Sequence, residues 1–158
     1  FNLMGPLANP ARVSRQLIGI ARPDYVQVYG RALESLGAEA AMIVSGDEGL
    51  DELSGAGPSR IFSIGHLPVG ETVQPSDAGL PTAPTSAIRG GDAAYNAAAL
   101  RRLLLGEHGP YRDAVLLNAA AALIVAGRAA NWREGVEEAS EVLDNGLANT
   151  LLDCWIAF

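Results

Sequence analysis

The first fourteen residues, FNLMGPLANPARVS, carry Gly5, Pro6, Asn9 and Pro10 at positions that break both helical and alternating periods, predicting a shaped, non-helical segment. RQLIGI, Arg15 to Ile20, then reads as a short apolar strand. RPDYVQVYGRALESLG follows with a helical period: Tyr25, Val28, Tyr29, Ala32, Leu33 and Leu36 share one face. Pro23 falls in its first turn and Gly37 just past its end, where a residue of left-handed backbone stops a helix. Ala40 to Ser45 is apolar on both faces and so predicts a strand interior to a sheet. Strand–helix–strand is the unit from which parallel sheets are built.

SRIFSIG, Ser59 to Gly65, alternates weakly and predicts another strand. The stretch after it, rich in Pro, Gly and Thr, predicts a long loop with a short strand near Glu71 to Val73. The last third is helical in pattern. Asp92 caps DAAYNAAALRRLLLGE, and YRDAVLLNAAAALIVAGRA is apolar nearly all round, as a buried helix must be. NWREGVEEASEVLDNG opens with Asn131 and has Glu134 three residues on, a capping-box pattern. Its expected apolar face is Val136, Ala139, Leu143 and Leu147, with Gly146 as the stop. The predicted class is α/β: a mostly parallel sheet flanked by helices, ending in a helical cluster.

Composition narrows this further. With 158 residues and 49% hydrophobic side chains, the chain can bury a core as one domain. No apolar run approaches the roughly 20 residues that span a bilayer, so a soluble, cytoplasmic protein without a membrane partner is expected. The single Cys154 excludes an internal disulfide, suits a reducing compartment and, lacking an activating neighbour, reads as structural. A net charge of −7 has the wrong sign for a nucleic-acid surface. It also means that an anionic substrate needs a metal ion or a local basic patch to offset the repulsion. The start at Phe1, in mid-segment, reads as the start of a fragment.

Against that background GDEGLDELSG, Gly46 to Gly55, stands out: four carboxylates on a glycine-bearing loop directly after an interior strand. Ligands of open α/β sheets bind at the carboxyl ends of strands. The adjacent Asp51 and Glu52 suit Mg²⁺, a hard cation that takes a few carboxylates and shares substrate phosphates. The same residues also make an ordinary solvated turn. RGGD, Arg89 to Asp92, reads as a hinge into a capped helix, because Asp92 puts negative charge where a phosphate would sit. Asn118, alone on the apolar helix, is expected to satisfy backbone groups. His66 and His108 have no ligand-like company and read as surface residues. In GPLANP, Gly5 would let the backbone approach a ligand and Pro6 would offer a rigid apolar plate; the pattern equally makes a tight turn.

The strings FNLMGPLANP, QLIGI, VSGDEGLDELS, RGGDAAYNAAALRRLLLGEHGPYRDAVLLNAAAALIVAG and REGVEEA, in this order and spacing, closely resemble anthranilate phosphoribosyltransferase. The resemblance runs from the first residue to about Gly146 and corresponds to the C-terminal half of that family's chain. It implies the larger α/β domain of a nucleoside-phosphorylase and phosphoribosyltransferase-like fold, without the family's N-terminal helical domain and glycine-rich loop. It also implies transfer of phosphoribosyl from phosphoribosyl pyrophosphate to anthranilate, releasing pyrophosphate, in tryptophan biosynthesis. By the same resemblance Asp51 and Glu52 serve Mg²⁺, Gly5 and Pro6 line the anthranilate pocket, and Asp47 and Glu48 remain solvated loop charges. The family's arginine for the anthranilate carboxylate falls just upstream of Phe1, and its homodimer contact lies mostly in the helical domain. An inactive isolated segment is therefore expected. A non-catalytic nucleic-acid-binding homologue would need a basic groove. A nucleoside phosphorylase fits the acidic pair and the RGGDAAYNAAAL block less well, and purine-salvage phosphoribosyltransferases place their acidic pair before a Thr-rich loop.

Overall fold

The computed structural model describes residues 3–158. Four strands form one sheet in the order β1 (Arg15–Gly19), β2 (Ala40–Gly46), β3 (Ser59–Ile64) and β4 (Thr72–Val73). Only β1 and β2 are parallel, with Arg15 opposite Ala40; β2 with β3, and β3 with β4, are antiparallel. The expected α/β class is observed, and the expectation of mostly parallel pairing is corrected to a mixed sheet for the strands of this chain. Parallel pairing needs a crossover, and helix α1 (Val26–Ser35) supplies one between β1 and β2. The β2–β3 and β3–β4 connections contain no helix, so the chain turns straight back.

The expected interior strand is confirmed, since every residue of β2 is buried. Its side chains alternate between two cores. Ala41 and Ile43 join Ile18, Ile20, Val26, Tyr29 and Leu33 under α1. Met42 and Val44 join Leu117, Ala120, Ala121 and Ile124 of helix α3 (Pro110–Ala126) on the opposite face. Helix α1 buries Val26, Tyr29, Gly30 and Leu33, whereas Tyr25, Val28 and Leu36 of the predicted face are exposed. The stripe is rotated because the ring of Phe62 packs on Gly30, where a Cβ would lie 2.2 Å from it.

Helix α2 (Ala93–Leu104) is capped as expected by Asp92, whose carboxylate accepts from Tyr95 N at 2.8 Å. Helix α4 (Trp132–Asp144) is capped by Asn131, which accepts from Glu134 N at 3.0 Å. It crosses α3 so closely that a Cβ on Gly135 would meet the Ala120 Cβ at 2.8 Å. Leu147 does not extend its face: Gly146 breaks the chain with φ 68°, and Leu147–Ala157 forms a separate helix, α5, that the periodicity did not predict. None of the helices among the described residues is long and apolar enough to cross a membrane.

Candidate metal and substrate site

The chain leaves β2 at Gly46 and returns at Ser59, and the acidic loop between them lies over the carboxyl end of the parallel pair. Its contact with β1 is a backbone one. A Cβ on Gly19 would fall 1.6 Å from the Asp51 carbonyl oxygen, so a glycine is required for the loop to rest there. Three residues on from Leu50 the loop dives inward. Leu53 is 1% exposed and packs with Met42, Val44 and Leu117, which stabilises the fold by roughly 1.5–3 kcal/mol.

Both backbone groups of Leu53 are held by one side chain. Asn118 Oδ1 accepts from Leu53 N at 2.9 Å, while Asn118 Nδ2 donates to Leu53 O at 3.1 Å and to Ala114 O at 3.0 Å. The expected backbone-satisfying role of Asn118 is therefore observed, and its target is the acidic loop itself. Ser54 N donates to Ser59 Oγ at 2.8 Å, and Ser54 Oγ accepts from Ala56 N at 2.9 Å. The Ser54 hydroxyl also donates to Glu48, whose same oxygen accepts from Thr85 Oγ1 at 3.2 Å. Glu48 is thus a tie across the loop rather than a free solvated charge. Asp47 pairs with Arg60 at 3.1 Å in an exposed ion pair.

Asp51 and Glu52 differ from both. They are exposed, and none of the ion pairs among the described residues uses them. No group of three or more His, Cys, Asp or Glu side chains gathers anywhere among the described residues. Two adjacent carboxylates on a fixed loop fit Mg²⁺ rather than a cage-bound metal, because this ion keeps several waters and takes its remaining ligands from substrate phosphates.

The segment with Gly5 and Pro6 lies elsewhere. Pro6–Ala8 forms a 3-10 turn, a local helical element in a stretch expected to have none. Gly5 has φ −52°, a conformation open to any residue, and a Cβ there would meet nothing within 4 Å. Pro6, Asn9, Arg12 and Gln16 line a cleft of about 550 Å³ against Leu36 and Gly37 at the end of α1. This cleft is at the amino end of β1, whereas the acidic loop touches its carboxyl end at Gly19. The structure does not bring the two candidate site regions together.

Arg12 is the residue this cleft adds to the sequence reading. It is exposed and holds φ 50°, the only non-glycine among the described residues in the left-handed region. A guanidinium in NPAR, beside a Gly-Pro turn, was the available signal. His66 and His108 are exposed, as expected, and so is Cys154, which is therefore not a structural core thiol. RGGD forms the expected hinge: Asn96 bridges Gly91 through both N and O, at 2.8 and 3.0 Å, beside the Asp92 cap. Away from the loop, burial raises the Asp113 carboxyl above its ordinary range against the lowering pull of Arg112 and His108. Burial likewise raises the Tyr29 hydroxyl.

The chain is similar to known proteins. A family model described as "Glycosyl transferase family, a/b domain" matches residues 1–149. The anthranilate phosphoribosyltransferase of Novosphingobium aromaticivorans is 63% identical over 159 aligned residues, covering 99% of this chain and 48% of that one. The solved anthranilate phosphoribosyltransferase of Thermus thermophilus superposes with a TM-score of 0.89 at 40% identity, over 98% of this chain and 46% of that one. The Saccharomyces cerevisiae enzyme in complex with PRPP and Mg superposes with a TM-score of 0.82 at 28% identity, over 95% and 44%. The same yeast enzyme has also been solved with 4-fluoroanthranilate. The chain spans about half the length of the curated relatives it matches. Fold, family match and relatives agree: this chain belongs to the glycosyl transferase family, as part of its α/β domain.

Proposed function

We propose that this chain is the C-terminal part of an anthranilate phosphoribosyltransferase, in which the Asp51–Glu52 loop serves the Mg²⁺-bound diphosphate of phosphoribosyl pyrophosphate. The reaction forms a bond from the anthranilate amine to C1 of the ribose and breaks the C1–oxygen bond to pyrophosphate. The electron pair leaves with pyrophosphate, and the amine nitrogen loses a proton. The observation that carries the proposal is the pair of exposed, unpaired carboxylates on a loop whose backbone is fixed over the carboxyl end of β1 and β2.

A diphosphate needs positive charge to balance it. Arg60, the cation bonded to the loop, is already taken by Asp47. When bound, Mg²⁺ would supply the Lewis acidity that stabilises charge developing on the leaving pyrophosphate. Asp51 and Glu52 would hold that ion, carried on a loop whose backbone is tied down at Gly19 and Asn118.

The Gly5–Pro6 turn, which the resemblance assigns to anthranilate, is the candidate for the other substrate, with Pro6 on the wall of the cleft. Pro6 offers an apolar surface for a flat ring, while the group that the resemblance gives to the ring's carboxylate falls upstream of Phe1. The two sites lie at opposite ends of a five-residue strand, roughly 16 Å, so these residues alone do not assemble a reaction centre. The segment on its own should therefore be inactive, and turnover by it in the assay below would contradict this. Cytoplasmic location and a homodimer of the full-length enzyme come with the family resemblance.

The test follows the loss of anthranilate fluorescence on mixing the full-length enzyme with phosphoribosyl pyrophosphate and varied Mg²⁺. Asp51→Asn should raise the half-saturating Mg²⁺ concentration and lower the rate. An unchanged rate with unchanged Mg²⁺ dependence would remove the metal role assigned to Asp51.

A further inference from the structure

Asn118 sits in the middle of α3 among Leu117, Ala120 and Ala121, where an apolar side chain of the same size would bury more surface without any polar group to satisfy. What Asn118 does instead is specific. One donation to Ala114 O, four residues back on its own helix, fixes the side-chain direction. The remaining donor and the oxygen are then spent on a single residue of another element, Leu53 O and Leu53 N.

Those two bonds hold two successive peptide planes. The Leu53 N–H belongs to the Glu52–Leu53 plane, so Asn118 Oδ1 fixes the backbone rotation that aims the Glu52 side chain. The Leu53 C=O belongs to the Leu53–Ser54 plane, whose N–H is held from the other side by Ser59 Oγ at 2.8 Å. Upstream, the Asp51 carbonyl rests on Gly19 of β1. One backbone contact at the Asp51–Glu52 peptide and one amide clamp after Glu52 therefore hold the backbone that carries the two carboxylates. Side chains behind the ligands are commonly what set ligand orientation at metal sites.

We infer that Asn118 is a positioning residue for Asp51 and Glu52: it touches neither metal nor substrate, and it sets metal affinity through the backbone of Leu53. This rests on the metal role proposed above for the acidic pair. The test is calorimetric titration of the full-length enzyme with Mg²⁺ and pyrophosphate, comparing wild type, Asn118→Leu, Asn118→Asp and Asp51→Asn. Asn118→Leu keeps the number and branching of side-chain heavy atoms and should raise the dissociation constant about tenfold or more. Asn118→Asp keeps the acceptor for Leu53 N but sets a carboxylate oxygen against Leu53 O and Ala114 O, so it should weaken binding at least as much as Asn118→Leu. A structural role alone predicts a lowered melting temperature with unchanged affinity. If both Asn118 variants bind within about twofold of wild type while Asp51→Asn binds weakly, the inference is wrong and the metal role stands. If Asp51→Asn also binds normally, the metal role fails and this inference with it. Should the Asn118 variants not fold, amide hydrogen exchange on wild type decides: Leu53 N–H should be protected while those of Asp51 and Glu52 exchange fast. Equal exchange at all three would overturn the clamp.

Discussion

The acidic loop, Asp47–Pro58, and the amino-terminal segment, residues 3–14, are written in much the same letters: glycine, proline and polar residues with a few leucines. They are held in opposite ways. The loop is tied to residues far along the chain, namely Thr85 and Asn118, with Leu53 driven into the core. The segment's hydrogen bonds are local up to Ser14, such as Ala8 N to Met4 O and Arg12 N to Asn9 O. Only Leu7 packs on a core cluster. A fixed loop suits an ion whose ligands must hold their geometry, and a lightly held segment suits a cleft wall that the rest of an enzyme completes.

That contrast can be broken from the loop side first. Gly19→Ala should have the largest effect, because its Cβ overlaps the Asp51 carbonyl and both partners are backbone. We expect a loss of about 1–3 kcal/mol in urea denaturation, accompanied by a weaker response to Mg²⁺. Glu48→Ala removes the acceptor for Ser54 and Thr85 and should cost about 0.5–1.5 kcal/mol by the same measurement. Arg60→Ala loses only an exposed ion pair with Asp47 and should change stability by about 0–1 kcal/mol, less at high salt. On the segment side, Gly5→Ala should leave stability within about 0.5 kcal/mol, since its φ is helical and the space beside it is open. Any effect on the full-length enzyme should then appear in KM for the aromatic amine rather than in the Mg²⁺ dependence.

The same contrast explains what could be read from the sequence. Features set by local chemistry were legible: the buried run of β2, the apolar α3, and the Asp92 and Asn131 caps. The acidic pair could be read as a metal candidate or as an ordinary turn, and the family resemblance was what favoured the metal. Features set by contacts distant in sequence were not legible. The antiparallel turn-back of β3 depends on a loop that contains no helix, and the rotation of α1's buried stripe depends on Phe62 reaching Gly30. Glu48 looked like a loop charge because its partner Thr85 is 37 residues away. Helix α5 went unpredicted because its apolar residues do not form a buried stripe: Leu147, Leu151, Trp155 and Ile156 are all exposed.

The central claim is that the acidic loop, and not the Gly5–Arg12 cleft, is where the metal–diphosphate binds. Substituting Mn²⁺ for Mg²⁺ in the isotope-labelled full-length protein, with pyrophosphate present, tests it directly through paramagnetic broadening of backbone amide signals. The account predicts the strongest broadening at Asp51, Glu52, Leu53 and Ser54, with the signals of Gly5, Leu7 and Arg12 broadened much less. Broadening centred on Gly5 to Arg12, with Asp51 and Glu52 unaffected, would contradict it.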